Sequence, residues 1–374
     1  MTVEGNRQNA VSGSPQSFWE TPYFAPLDGL RALSLLLVVA GHCHTSVPVR
    51  RYFSGGLGVG IFFVLSGFLI TILLLREQSS FGGISYGGFY IRRAFRILPP
   101  YALTIGVYLL LGLMPSQHEL KTRFLNGLPY FLTLRNEYVP AGLAVSFTHS
   151  WSLSVEEKFY LAWPLLFFWA LPRIRSRWAV VPVTAAPLFV STTQSLPVAY
   201  FSLLLGCCVA ILLHRLRNQQ ARVLRCVQRV PLWLLLLAWV TSYYASLQAT
   251  WRVSFILVTA ALLPVLLLRQ TALSRVLGSR VCTWVGKRTY SMYLLHAICL
   301  TLVERFVPPV TAWRFAAVVA LTYGLSLGVA TVVYRLVEKP AIAWGRKLAA
   351  AYAVARRAPI KTSQTPEYTV AVPR

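Results

Sequence analysis

Acidic residues are scarce in this chain of 374 residues: 11 Asp and Glu stand against 36 Lys and Arg, and all charged residues together make up 13%. A typical soluble domain carries about 25%. With 56% hydrophobic residues and a mean hydropathy of +0.57, the deficit excludes an ordinary cytosolic enzyme. The net charge of +25 would point to nucleic acid in a polar chain. A chain this apolar does not present an extended basic groove to phosphates, so no nucleic-acid partner is expected. Cysteine chemistry is equally thin. The six cysteines show no CxxC or Cys/His spacing that would hold zinc, so no metal is expected. Cys43, Cys207, Cys208 and Cys299 fall in apolar runs, while Cys226 and Cys282 fall in loops read below as cytoplasmic, where disulfides are rare. The first 26 residues hold no apolar signal-peptide core, and no inverted repeat of the transporter kind is visible.

What the chain does have is apolar runs near membrane-spanning length. Ten are read, at about 30–49, 57–75, 97–113, 157–171, 178–195, 197–213, 231–247, 253–268, 286–303 and 313–334. The run Phe124–Leu134 is too short to cross, contains Gly127 and Pro129, and reads as a re-entrant or interfacial piece against protein. The fold expected is all-α, a polytopic membrane helix bundle of about ten transmembrane helices. A cytoplasmic N-terminal tail (1–26), a membrane domain (27–345) and a cytoplasmic C-terminal tail (346–374) complete it. Lys and Arg orient it: with both termini cytoplasmic in a cell (inner or plasma) membrane, 27 of the 36 basic residues lie inside. The net charge is then +21 inside and +4 outside, so most of the surplus is topology.

Ionisable groups within spans are costly and mark function by default. In the first span, Arg31 and His42 are eleven residues apart, almost three helical turns, so they share a face about 16 Å apart along the axis. If Arg31 marks the inner surface, His42 lies near mid-membrane. The bland alternative is an anchoring arginine and a histidine bonded to a neighbouring carbonyl. Before the third span, Arg92, Arg93 and Arg96 precede Pro99-Pro100. Arg92 and Arg96 share a helix face and suit phosphate oxygens, though basic flanks also serve plain anchoring. Entering the 157–171 span from outside, Ser154 and Glu157 fit a capping box, and Glu156 and Glu157 together are more acid than a cap needs. One of them would orient or charge-balance a histidine from a neighbouring helix. In the ninth span, Tyr293 and His296 could line a polar cavity.

In this order and at these depths the motifs resemble the acyltransferase 3 family of integral membrane O-acyltransferases over about residues 24–345. The residues that carry the resemblance are Leu27-Asp28-Gly29-Leu30-Arg31 with His42, and Phe62-Phe63-Val64-Leu65-Ser66-Gly67-Phe68-Leu69. They continue with Arg92-Arg93-Ala94-Phe95-Arg96-Ile97, with Trp151-Ser152-Leu153-Ser154-Val155-Glu156-Glu157-Lys158-Phe159-Tyr160, and with Tyr290-Ser291-Met292-Tyr293-Leu294-Leu295-His296. Lys158 stands where relatives often carry glutamine.

The resemblance implies transfer of an acyl group, commonly acetyl, from cytoplasmic acyl-CoA as co-substrate to a hydroxyl on a carbohydrate or lipid-linked acceptor, with no tightly bound cofactor. His42 would act as base, with a transient acyl-histidine as the alternative route, and Glu156 or Glu157 would set its tautomer. Arg31, Arg92, Arg93 and Arg96 would hold the donor, and Ser66, Tyr101, Trp151, Tyr293 and His296 would line the substrate path. Some relatives carry an extracytoplasmic hydrolase-like domain for which 374 residues leave no room. The expectation is therefore direct modification of the acceptor or a separate extracytoplasmic transferase as partner, with membrane lipid around the bundle. A proton-coupled transporter of a small molecule or glycan is the alternative from another class.

Overall fold

Backbone in lipid must bond to itself, so long apolar runs fold as helices. A computed structural model describes residues 21, 23–112, 118–140, 143, 146–170, 195–248 and 252–357, and no strand occurs among them. The elements are α1 (Ala25–His42), α2 (Gly55–Phe81), α3 (Tyr86–Gly112), α4 (His118–Leu132), α5 (Trp151–Leu165, continued by a π-helical turn to Ala170), α6 (Ser195–Arg215) and α7 (Gln220–Arg229). They continue with α8 (Leu232–Ala245), α9 (Arg252–Leu268), α10 (Ala272–Leu277), α11 (Arg280–Gly286), α12 (Thr289–Phe306), α13 (Ala312–Val333) and α14 (Lys339–Arg357).

Among the described residues, five helical stretches are long and apolar enough to cross a membrane: Ala25–His42, Pro48–Phe81, Tyr86–Leu111, Leu196–Arg229 and Ala312–Val354. Two shorter apolar helices, Leu232–Ala245 and Arg252–Leu268, coincide with further expected spans. The expected span at 178–195 lies outside the described residues but for its last one, as do the first 20 residues and those after Arg357. Two boundaries differ from expectation. The first span ends at His42 rather than residue 49, because Arg50 folds back and donates to the carbonyls of Gly41, Cys43 and Phe53, satisfying acceptors left over at the helix end. The third helix begins at Tyr86, so the arginine cluster and the Pro99-Pro100 pair sit inside one continuous α3. Phe124–Leu134 falls mostly in α4, whose 15 residues span about 22 Å, short of a crossing. The C-terminal segment expected as a tail from residue 346 remains helical to Arg357.

Without a hydrophobic force between helices in lipid, close approach depends on small residues. At Gly67 on α2 an added Cβ would lie 1.8 Å from the Leu203 carbonyl oxygen of α6, so these two backbones touch. Gly67→Ala is expected to cost about 1–3 kcal/mol by overpacking, read as a lower unfolding temperature of the purified protein in detergent. At Gly41 on α1 a Cβ would lie 2.1 Å from the Gly55 nitrogen. That contact presses the end of α1, where His42 sits, against the start of α2. Trp163 Nε1 donates to Thr71 Oγ1 at 2.9 Å and fastens α5 to α2, while the Tyr323 hydroxyl donates to the Ala32 carbonyl at 2.9 Å and fastens α13 to α1.

Candidate active site

The site has a cationic end and a histidine end. At the cationic end, the first turn of α1 holds Asp28, which accepts from Arg31 Nη1 at 3.1 Å and from the Tyr23 hydroxyl at 2.5 Å. Burial and the neighbouring Asp28 carboxylate push the Tyr23 hydroxyl up from its ordinary range, so it remains a donor. Arg31, Arg93 and Arg96 converge on an open cavity whose other walls include Ser66, Ser152, Glu156, Tyr160, Thr289, Tyr290 and Tyr293. Glu156 accepts from the Tyr160 hydroxyl at 3.2 Å, and the Arg93 guanidinium stacks 4.7 Å over the Tyr160 ring. Three cations and one carboxylate leave the cavity cationic.

Adjacent helical residues point 100° apart, and this decides which arginines face inward. Arg93, Arg96 and Ile97 form one arc along the cavity wall, whereas Arg92 turns away to Glu77 at 3.2 Å. The expected pairing of Arg92 with Arg96 on one face is thus replaced by Arg93 with Arg96. The same rotation separates the tandem acids: Glu156 lines the cavity and Glu157 does not.

At the other end, three histidines from three elements gather. His42 closes α1, His149 lies in the 3-10 turn Ser146–Ser150, and His296 sits in α12. Ring centroids are 5.1 Å apart for His42 and His296, 4.6 Å for His149 and His296, and 6.2 Å for His42 and His149. His42 Nδ1 donates to the Val38 carbonyl at 2.8 Å, which leaves the lone pair on Nε2. The Tyr293 carbonyl accepts from both His149 Nε2 at 3.1 Å and His296 Nδ1 at 2.6 Å. The Tyr293 hydroxyl donates to the His149 carbonyl at 2.5 Å and meets Ser152 Oγ at 2.6 Å. Tyr293 therefore walls the cavity with one group and clasps the histidines with the others.

Several expected site residues have other work. Among the described residues His42 bonds to the Val38 carbonyl, and neither Glu156 nor Glu157 is placed against its ring. The capping box expected at Ser154 is absent because α5 already starts at Trp151, and Ser154 Oγ instead accepts from the Asn136 backbone at 3.2 Å. Tyr101 is buried away from the cavity, donating to the Phe131 carbonyl at 2.9 Å beside Asn136. Trp151 packs edge-on against Phe63 at 6.1 Å and does not line the cavity. Ser66 and Tyr293 do, and His296 lies directly behind Tyr293. Lys158 pairs with Glu137, away from the cavity.

Two groups at the site are not singled out by the sequence. His149 lies two residues before the Trp151-Ser152-Leu153-Ser154 run, the signal available for it. Glu338 is buried and accepts from Ser291 Oγ at 2.7 Å, near Arg96 and Arg288. Those partners are far away along the chain, so no local pattern announces them.

A helical membrane protein with an arginine-lined cavity leading toward a buried histidine cluster is the class that fold and site define. The family profile described as an acyltransferase domain, Acyl_transf_3, matches residues 24–334, and the chain belongs to that family. It is 27% identical over 355 residues to the peptidoglycan O-acetyltransferase OatA of Listeria monocytogenes, covering 85% of this chain and 56% of that protein. It is 28% identical over 357 residues to YrhL of Bacillus subtilis, a candidate peptidoglycan O-acetyltransferase, covering 85% of this chain and 55% of that protein. The chain thus spans little more than half the length of these relatives. No solved structure matches it.

Proposed function

We propose that the chain is an O-acyltransferase that moves an acyl group, acetyl by default, from cytoplasmic acyl-CoA to a hydroxyl of a carbohydrate or lipid-linked acceptor. The observation that carries this reading is the cavity itself. It begins at Arg31, Arg93 and Arg96 and ends at Tyr293, one residue removed from the histidine cluster. Coenzyme A is a polyanion with a long flexible arm: the arginines suit its phosphates, and the arm would carry the thioester along the cavity. His42, its Nε2 lone pair free to accept a proton, would serve as general base for the acceptor hydroxyl. Glu156 would balance Arg31 and Arg93 while the site is empty. The family resemblance and the named O-acetyltransferase relatives support acyl transfer over proton-coupled transport. A cell-wall or envelope glycan is the acceptor class those relatives' names suggest.

Two measurements test this. Reconstituted protein given radiolabelled acetyl-CoA should label an acceptor fraction, and mass spectrometry of envelope glycans and lipids from cells lacking the gene should show loss of an acyl mass. If no envelope species changes and no label transfers, the reading fails. The proposed orientation places α7 inside. Its exposed Cys226, kept as the single cysteine, should react with an impermeant maleimide in inverted vesicles and not in intact cells. The reverse pattern overturns the orientation.

A further inference from the structure

His296 has a feature that the reading above leaves unused. It is completely buried, and its Nε2 has no hydrogen-bond partner. Its Nδ1 proton is committed to the Tyr293 carbonyl at 2.6 Å, so Nε2 is an acceptor by elimination. A buried acceptor left unpaired is costly and calls for an explanation. The His42 ring lies 5.1 Å away, centroid to centroid, at 66°. At that separation the ring nitrogens can meet within hydrogen-bond reach or across one water. In the resting state both rings present lone pairs from Nε2, so they have nothing to exchange.

We propose that His296 is the proton-side partner of His42, taking the stabilising role for which a carboxylate was expected. The inference rests on His42 being the base. In the step, the acceptor O–H proton passes to His42 Nε2 as the oxygen attacks the acyl carbon. The C–S bond breaks, coenzyme A leaves as thiolate, and the proton returns from His42 to that sulfur. Between those events His42 is an imidazolium whose new Nε2–H finds the His296 Nε2 lone pair. The Tyr293 carbonyl accepts from His296 Nδ1 and the Val38 carbonyl from His42 Nδ1, so each ring is held in the tautomer that leaves Nε2 as acceptor. A neutral acceptor suits this place: it favours the charged intermediate without holding a permanent negative charge in the membrane interior.

The test contrasts two isosteric halves of histidine. His296→Asn retains a donor for the Tyr293 carbonyl and removes the distal acceptor; His296→Gln places an acceptor oxygen near the Nε2 position. With His42 as base, His296→Asn should lower kcat by about 10²-fold with KM for acetyl-CoA unchanged within about 3-fold, and His296→Gln should recover to within about 10-fold of wild type. His42→Ala with His296→Asn should be no slower than His42→Ala alone, because no imidazolium then forms. Each protein is checked for a monodisperse profile and unfolding temperature in detergent. A normal kcat for His296→Asn overturns the pair, as does an equal loss in Gln and Asn, or a further loss in the double variant. If His42→Ala itself turns over normally, it is the base assignment that falls, a result distinct from the other three.

Discussion

Alanine at position 42 is expected to lower acyl transfer by about 10²–10⁴-fold, the usual contribution of a positioned general base, while the protein inserts and folds as before. The histidine is the last residue of α1, and its side chain bonds to a carbonyl one turn back, so its removal leaves the helix ladder whole. The arginines that would hold the donor lie about three turns away along α1 and on α3, so KM for acetyl-CoA should stay within a few fold. A fall in kcat with constant KM is the signature of an interaction made only in the transition state. The measurement is turnover of radiolabelled acetyl-CoA by reconstituted protein; wild-type turnover would remove His42 from the mechanism.

The second large effect belongs to the arginines and separates neighbours along the chain. Replacing Arg93 and Arg96 together by alanine should raise KM for acetyl-CoA by about 10²-fold or more. A hydrogen bond to a charged group is worth about 1.5–3 kcal/mol, and 1.4 kcal/mol is tenfold in affinity. At saturating donor the rate should fall much less. Arg92→Ala should change KM by less than about 3-fold, because that side chain leaves the cavity for Glu77 and is half exposed, where ion pairs are worth little. Lysine at 93 and 96 should recover only part of the affinity, since a point charge does not replace a planar fork. Equal effects of Arg92→Ala and Arg93→Ala would refute the cavity assignment.

Much of the helical framework was legible from residue order alone, and the site was legible in its ingredients more than its contacts. Arg31 and His42 on one face of α1 follow from eleven-residue spacing, and the structure has both on that helix, Arg31 in its second turn and His42 at its last residue. The motif Trp151–Tyr160 contributes Glu156, Ser152 and Tyr160 to the cavity. The differences in placement share a cause. Telling which of Arg92 and Arg93 faces the cavity, or whether Ser154 caps a helix with Glu157, requires the rotation of a helix about its axis and its first residue. Both are set by what it packs against: Tyr160 for Arg93, Asn136 for Ser154. Tyr101 follows the Pro99-Pro100 pair and turns toward Phe131 and Asn136, because a buried phenol goes where an acceptor is.

By itself the sequence determined an all-helical membrane chain, the family it belongs to and the residue types at its centre. Hydropathy and basic charge act locally through lipid, which admits a helix wherever a run is apolar. Only the tertiary structure decided which side chains meet: that three histidines from α1, a 3-10 turn and α12 share one cluster, and that a tyrosine carbonyl orients two of them. It also decided that the acid facing the cavity stands with the arginines and away from His42. Those meetings depend on glycine contacts that bring helix backbones together and on rotations about helix axes. Neither the spacing of residues within one helix nor its hydropathy carries that information.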